Sequence, residues 1–184
     1  MNSKSTDKEN EVSRAFVQQA RQLLTSEYLP KLESCLNTLT DEQVWWRANP
    51  KSNSIGNLCL HLAGNARQWI VSGLGGANDA RARQQEFDER AVIPRSELLS
   101  SLREALDDVD TVLATFDLDR CLEEYEIQGT AVTALAAIFH VTEHFSMHTG
   151  QIILLTKMLA QRDLGFYDFS TGAPVRAWLE ERSE

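Results

Sequence analysis

The sequence predicts an all-α protein: four principal helices packed around one core, with a long crossover connection between the second and third. Three observations carry that prediction. Apolar residues recur three and four positions apart between Pro30, Pro50, Pro94 and Pro174, the only prolines in 184 residues, and this is the period of a helix rather than a strand. The composition, 42% hydrophobic and 24% charged, is that of a globular chain able to bury a sizeable core. A charge-dense stretch from Ala77 to Ile93 interrupts the periodicity and is long enough to carry the chain across a bundle.

The elements follow in order. Met1 to Asn10 is polar and reads as a disordered leader, leaving residues 11–184 as one domain. Val12, Phe16, Leu23, Leu24, Leu32, Leu36 and Leu39 form the apolar stripe of a first helix over Glu11 to Leu39, bent where Pro30 removes an amide hydrogen bond. Thr40, Asp41 and Glu42 read as the cap and first turn of a short helix holding Trp45 and Trp46, closed by Asn49-Pro50. Ser54 caps a second principal helix through Ile55, Leu58, Leu62, Ala66, Trp69 and Ile70, which ends at Gly73-Leu74-Gly75-Gly76. The crossover is expected as a surface loop with at most one helical turn. Pro94 and Ser96 start a third helix along Leu98, Leu99, Leu102, Leu106, Val109, Leu113 and Phe116. Asp117 to Gln128 reads as a polar turn with a short extended piece at Tyr125 to Gln128, ended by Gly129, and a fourth helix runs from about Thr130 to Ala160. Leu164 to Phe169 is too aromatic for a free tail and is expected to pack back on the bundle.

Charge and segment lengths exclude several function classes. Eighteen basic residues against 27 acidic give a net charge of −9, which repels a phosphate backbone, so no nucleic-acid partner is expected. The longest apolar run, Ala131 to Phe139 with Thr133 inside it, is far short of the roughly 20 residues of a spanning helix, so no membrane partner is expected. The N-terminus has no apolar stretch before a cleavage site, and Cys35, Cys59 and Cys121 form no CxxC pair; both features predict a cytoplasmic protein with buried, unpaired thiols. Trp45, Trp46, Trp69 and Trp178 are large apolar groups whose commoner use is core packing; any left exposed would favour self-association.

The histidines are where chemistry enters. His61 lies on the second helix, and His140, His144 and His148 lie on the fourth. On that helix Ala134, Ile138, Val141, Phe145, His148, Ile152, Leu155 and Leu159 keep a four-three alternation, which places His148 on the bundle seam. At roughly 100° per residue, His144 lies about 40° to one side of it and His140 about 80° to the same side. Histidines at i and i+4 stack one turn apart and both can reach one divalent ion at about 2.1 Å. The same spacing also suits hydrogen-bonded core histidines. His61, near the margin of its own stripe, would supply a third nitrogen from a facing helix; His140, four residues before His144, competes for that role. Asn65, one turn from His61, and Gln151, one turn from His148, could line the same cavity or hydrogen-bond a neighbouring helix. Glu143 falls on the outward side. Arg81 and Arg83 could meet an anionic ligand or pair with Asp79, Glu86 or Asp88.

The segments Ser54-Ile55-Gly56-Asn57-Leu58-Cys59-Leu60-His61-Leu62 and His144-Phe145-Ser146-Met147-His148-Thr149-Gly150-Gln151-Ile152 resemble the motifs of the DinB-like superfamily. The resemblance extends over the Trp-rich turn, the His-Leu-Ala-Gly-Asn run and the loop near Glu86-Phe87. It implies a metal-binding four-helix bundle whose ligands are His61, His144 and His148, with His140 carrying no settled role. Some relatives are transferases or isomerases acting with low-molecular-weight thiols, and relatives are often homodimers. Two functions are therefore expected in competition. One is a metal-dependent enzyme in which zinc, nickel or iron activates a small thiol, or water, toward a small-molecule substrate. The other is a non-catalytic, metal-stabilised bundle that binds a ligand or partner in a stress response. Three imidazoles suit several transition metals, copper included, so the donor set leaves the ion open.

Overall fold

The computed structural model describes residues 3–170 and 172–176, and its architecture is the all-α bundle. Helix α1 (Ser3–Gln22), a π-helical stretch (Leu23–Tyr28) and α2 (Leu29–Thr38) form one long, broken rod. The short α3 (Asp41–Val44) follows, then α4 (Ile55–Ala66) extended by a second π-helical stretch (Arg67–Ser72). The crossover carries α5 (Arg83–Asp88) and leads into α6 (Arg95–Ala114), a single 3-10 turn (Leu118–Arg120), the hairpin β1 (Glu124–Ile127) and β2 (Thr130–Thr133), and the 27-residue α7 (Ala134–Ala160). A two-residue pairing of β3 (Tyr167–Asp168) with β4 (Val175–Arg176) ends the described chain. The core lies where α2, α4, α6 and α7 meet. Leu32, Leu36, Leu62, Ala66, Leu102, Leu106, Val141, Phe145 and Ile152 are all fully buried there.

Several boundaries differ from the sequence expectation, each for a physical reason. The first helix begins at Ser3, ahead of the Glu11 start marked by the apolar stripe. Residues 3–10 contain neither Gly nor Pro, and periodicity is silent about a helical stretch with no apolar face. The expected bend is the π stretch just before Pro30, where the Leu29 amide reaches back five residues to Leu24. The proline ring would otherwise crowd the carbonyl four residues earlier, and the widened turn makes room for it. The second π stretch has no such sequence signal; its amides also reach back five residues, Gly73 to Gln68 and Gly75 to Ile70.

Helix α3 stops at Val44, so Trp45 closes it and Trp46 lies beyond it, under a capping box of Thr40 and Gln43. Trp45 is buried, with its indole N–H donated to the Ile93 carbonyl, whereas Trp46 is exposed; Trp178 lies outside the described residues. The crossover holds more than a surface turn, because α5 packs on α4. Thr130 to Thr133 is a strand and not the first turn of the fourth helix. Gln128 and Gly129 both take positive φ, the two-residue turn that matches strand twist, so the chain folds back as a hairpin before Thr133 caps α7. Of the segment expected to pack back, Leu164 and Phe166 lie on the core while Tyr167 and Phe169 are exposed, and Arg176 pairs with the buried Glu27. All three cysteines are buried and free. Among the described residues no helix is long and apolar enough to cross a membrane.

Truncating the central Leu102 to Ala should lower stability by about 2–5 kcal/mol in chemical denaturation. Leu122→Ala, at an exposed position, should change it by no more than about 0.5 kcal/mol. Equal effects at the two positions would contradict the assignment of the core.

Candidate metal centre

Helix α4 is launched by a capping box: Ser54 Oγ accepts from the Asn57 amide while Asn57 Oδ1 accepts from the Ser54 amide. The rigid start sets His61 two turns on, facing α7. There His144 and His148 stack one turn apart, with ring centroids 4.4 Å apart, and the His61 ring lies 4.8 Å from His144 and 5.3 Å from His148. One nitrogen from each ring falls within 4.8 Å of the others. His61 is buried and the other two are half-buried.

Hydrogen bonds define which nitrogens are available. His61 Nδ1 lies 2.9 Å from Glu86 Oε2, and its Nε2 lies 2.9 Å from His144 Nε2. His148 Nδ1 lies 2.7 Å from Gln151 Oε1; that oxygen only accepts, so the proton sits on Nδ1 and the Nε2 lone pair is left open. An ion bound at about 2.1 Å to each ring needs nitrogens roughly 3.4 Å apart. His61 and His144 are near that spacing already, and all three ligand nitrogens lie within 4.8 Å of one another. A soft-edged, all-nitrogen donor set of this kind fits a divalent transition metal.

Electrostatics favour the neutral, ligating form of His144 and His148. Burial, then the neighbouring His148, His61, His140 and Arg81, depresses the His144 imidazole to about 3. Burial also lowers His148, with Gln151 opposing it, and lowers His140. Neutral imidazoles are what a metal requires.

The other expected site residues take supporting places. Asn65 Nδ2 lies 3.3 Å from His140 Nε2, and the His140 ring packs over Trp69 with centroids 4.0 Å apart. His140 is therefore held beside the three converging rings by its own partners. Asn65 reaches a histidine of the facing helix, whereas Gln151 bonds His148 on its own helix, three residues away, and not a neighbouring one. Glu143 is exposed on the outward side.

Arg81 forks onto Glu86, with Nε–Oε1 at 2.7 Å and Nη2–Oε2 at 2.8 Å, and gives Nη1 to Gln68 Oε1 at 2.9 Å. That answers the question left open for it; the Arg83 guanidinium instead lies over the Phe87 ring. Burial alone would raise the Glu86 carboxyl, but the hydrogen bonds from Arg81 and His61 outweigh it and hold its pKa below the usual range. Gly64 makes this approach possible, because a Cβ there would collide with Glu86 Oε1. Sequence reasoning missed Glu86 and Phe87 as neighbours of His61. In a run as charged as Arg81 to Arg90, nothing in the spacing separates one carboxylate from another.

A family model described as "Protein of unknown function (DUF1572)" matches residues 11–172. Among solved structures, the chain is similar to a conserved protein from Enterococcus faecalis, with TM-score 0.68 and 14% identity over 79% of this chain and 97% of that one. It is also similar to a DinB-like protein from Bacillus cereus, with TM-score 0.56 and 16% identity over 74% of this chain and 90% of that one. At such identities the likeness is one of fold. No functionally curated protein matches the sequence closely.

The depressed imidazoles give a signed pH dependence. In the unfolded chain these rings take up protons below about 6.5, whereas in the fold His144 stays neutral down to about 3. The unfolded state thus binds more protons across that window, and the stability contributed above pH 6.5 is lost as pH falls. The Tm of metal-free protein should drop from pH 7 to pH 4, and a His144→Gln variant should drop less. A Tm that holds or rises on acidification would contradict the buried, neutral placement of these rings.

Proposed function

The chain belongs to the DUF1572 family and has the DinB-like fold, and on that premise we propose that it is a metal-dependent enzyme acting with a small thiol, of the S-transferase type, or with water. The observation that carries this reading is the convergence of three ring nitrogens, from α4 and α7, within 4.8 Å. His61, His144 and His148 would hold zinc, nickel or iron and leave coordination positions open. A divalent ion held in this way lowers the pKa of a bound thiol or water, supplying a nucleophile at neutral pH without a separate strong base.

The chain's own residues do the rest. Burial favours the neutral form of His144 and His148. Gln151 holds the His148 proton on Nδ1 and leaves Nε2 for the ion. Asn65 donates to His140 Nε2, which puts that ring's proton on Nδ1 and pins the ring against Trp69; His140, Asn65 and Trp69 together wall the flank where a small-molecule substrate would lie. Three buried free thiols support a cytoplasmic location.

Elemental analysis of protein purified without a metal-binding tag, together with thiol consumption against a reactive electrophile, tests the reading. One transition-metal ion per chain is expected, with turnover that falls to the buffer background on chelation and in His148→Ala. Metal-dependent thermal stability without turnover for any thiol or hydrolysable ester would point to the binding bundle instead.

The homodimer also has support, on the outward face of α7. Phe139, Met147, Leu154 and Met158 lie along this face between 46% and 60% exposed. Gly150 sits at its middle, where a mid-helix glycine costs about 1 kcal/mol relative to Ala and where a Cβ would meet nothing within 4 Å. Close approach of a second α7 accounts for that glycine. In an antiparallel two-fold pairing centred there, Glu143 and Lys157, each seven residues away, face one another across the interface. Sedimentation should report a dimer that Glu143→Lys or Lys157→Glu weakens at least tenfold and the double reversal restores. A wild-type monomer, or single reversals without effect, would refute this face as the interface.

A further inference from the structure

We infer that Glu86, carried on α5 of the crossover, is the positioning residue of the metal centre: it fixes the His61 tautomer that turns the Nε2 lone pair toward His144 and His148. The inference rests on the three-histidine reading and adds to it a residue outside the bundle proper.

One proton decides which His61 nitrogen carries the free lone pair. Glu86 Oε2 lies 2.9 Å from His61 Nδ1, and an ionised carboxylate only accepts. Were Nδ1 unprotonated, two lone pairs would face each other at that distance in a buried place. Arg81 Nη2 also lies 3.0 Å from Nδ1, which by itself would favour the opposite tautomer. Its protons are already directed elsewhere, to Glu86 Oε2 at 2.8 Å and to the His61 carbonyl at 3.4 Å. The arrangement that leaves no lone pair opposed is Nδ1–H donated to Glu86. The carboxylate–imidazole pair so formed orients the ring and raises the basicity of Nε2.

Glu86 is itself held as a positioning group must be. Arg81 grips both of its oxygens, and the two side chains are only 5% and 11% exposed. Its main-chain carbonyl accepts from Asn57 Nδ2 at 2.7 Å, so the capping residue of α4 also anchors α5. The next residue, Phe87, packs its ring 4.6 Å from the His61 ring. A salt bridge that merely tied the crossover to α4 would need neither the contact to Nδ1 nor the ring beside it. The long connection between the second and third principal helices is therefore part of the site.

The test uses the full chain and zinc. Zinc affinity is measured by competition with a chromophoric chelator for wild type, Glu86→Gln and the double variant Arg81→Gln/Glu86→Gln, which removes the pair without stranding a buried charge. In metal-free wild type, long-range 15N–1H correlation reads the His61 tautomer directly. The expected results are Nδ1–H on His61 and zinc affinity roughly 10–100-fold weaker in both variants with unchanged helicity. An Nε2–H tautomer in wild type, or double-variant affinity within about twofold of wild type, overturns the assignment of Glu86 while leaving the three-histidine reading intact. A wild-type chain that binds no zinc, nickel or iron overturns both.

Discussion

Buried imidazoles demand partners. Each ring carries one proton and one lone pair when neutral, and a ring nitrogen withdrawn from water without a partner loses on the order of 1–3 kcal/mol. At the contact of α4 and α7 three rings meet, and the structure resolves the demand asymmetrically. The outer nitrogens of His61 and His148 go to Glu86 and Gln151, while the inner nitrogens turn toward one another. One nitrogen from each of the three rings lies within 4.8 Å of the others, a cluster that could hold a metal ion.

The surrounding fold can be understood as support for that cluster. The Ser54 and Asn57 capping box fixes where α4 begins, and Asn57 then reaches across to the carbonyls of Glu86 and Glu89. Arg47 joins the same clamp, donating to Asn57 Oδ1 and to the Glu89 carbonyl. The crossover is thus sewn to α4 at several points, although it contributes no fully buried apolar residue to the core. Both π-helical stretches pack against α7, the helix that carries three of the four histidines. Such turns recur at functional sites because they displace side chains from the ordinary helical register; the second of them carries Trp69 onto His140.

The parts of this arrangement that were legible in sequence are those with a periodic signal. The unbroken alternation from Ala134 to Leu159 exposed α7, and the i, i+4 spacing of His144 and His148 exposed two-thirds of the cluster before any coordinates. His61 was different: helix geometry alone did not choose it, His140 competed only from the flank of its helix, and the resemblance of the His61 segment to a known motif supplied the assignment. Glu86 stood out only as one of several partners for Arg81 and as part of the family-like loop; its contact with His61 depends on a tertiary approach permitted by Gly64, of which one-dimensional patterning carries no trace. The hairpin of Glu124 to Thr133 was half seen, since four-residue strands are too short for alternation to outweigh the helical run that follows.

The proposed centre holds one cation on imidazoles from two separate helices. X-ray absorption at the metal edge, on protein purified with its native ion and no metal-binding tag, addresses it most directly. The account predicts a nitrogen shell at roughly 2.0–2.1 Å with the outer-shell scattering of three imidazoles, reduced to two in His61→Ala. A sulfur shell near 2.3 Å, an oxygen shell with no imidazole scattering, or a spectrum indifferent to His61 would contradict it.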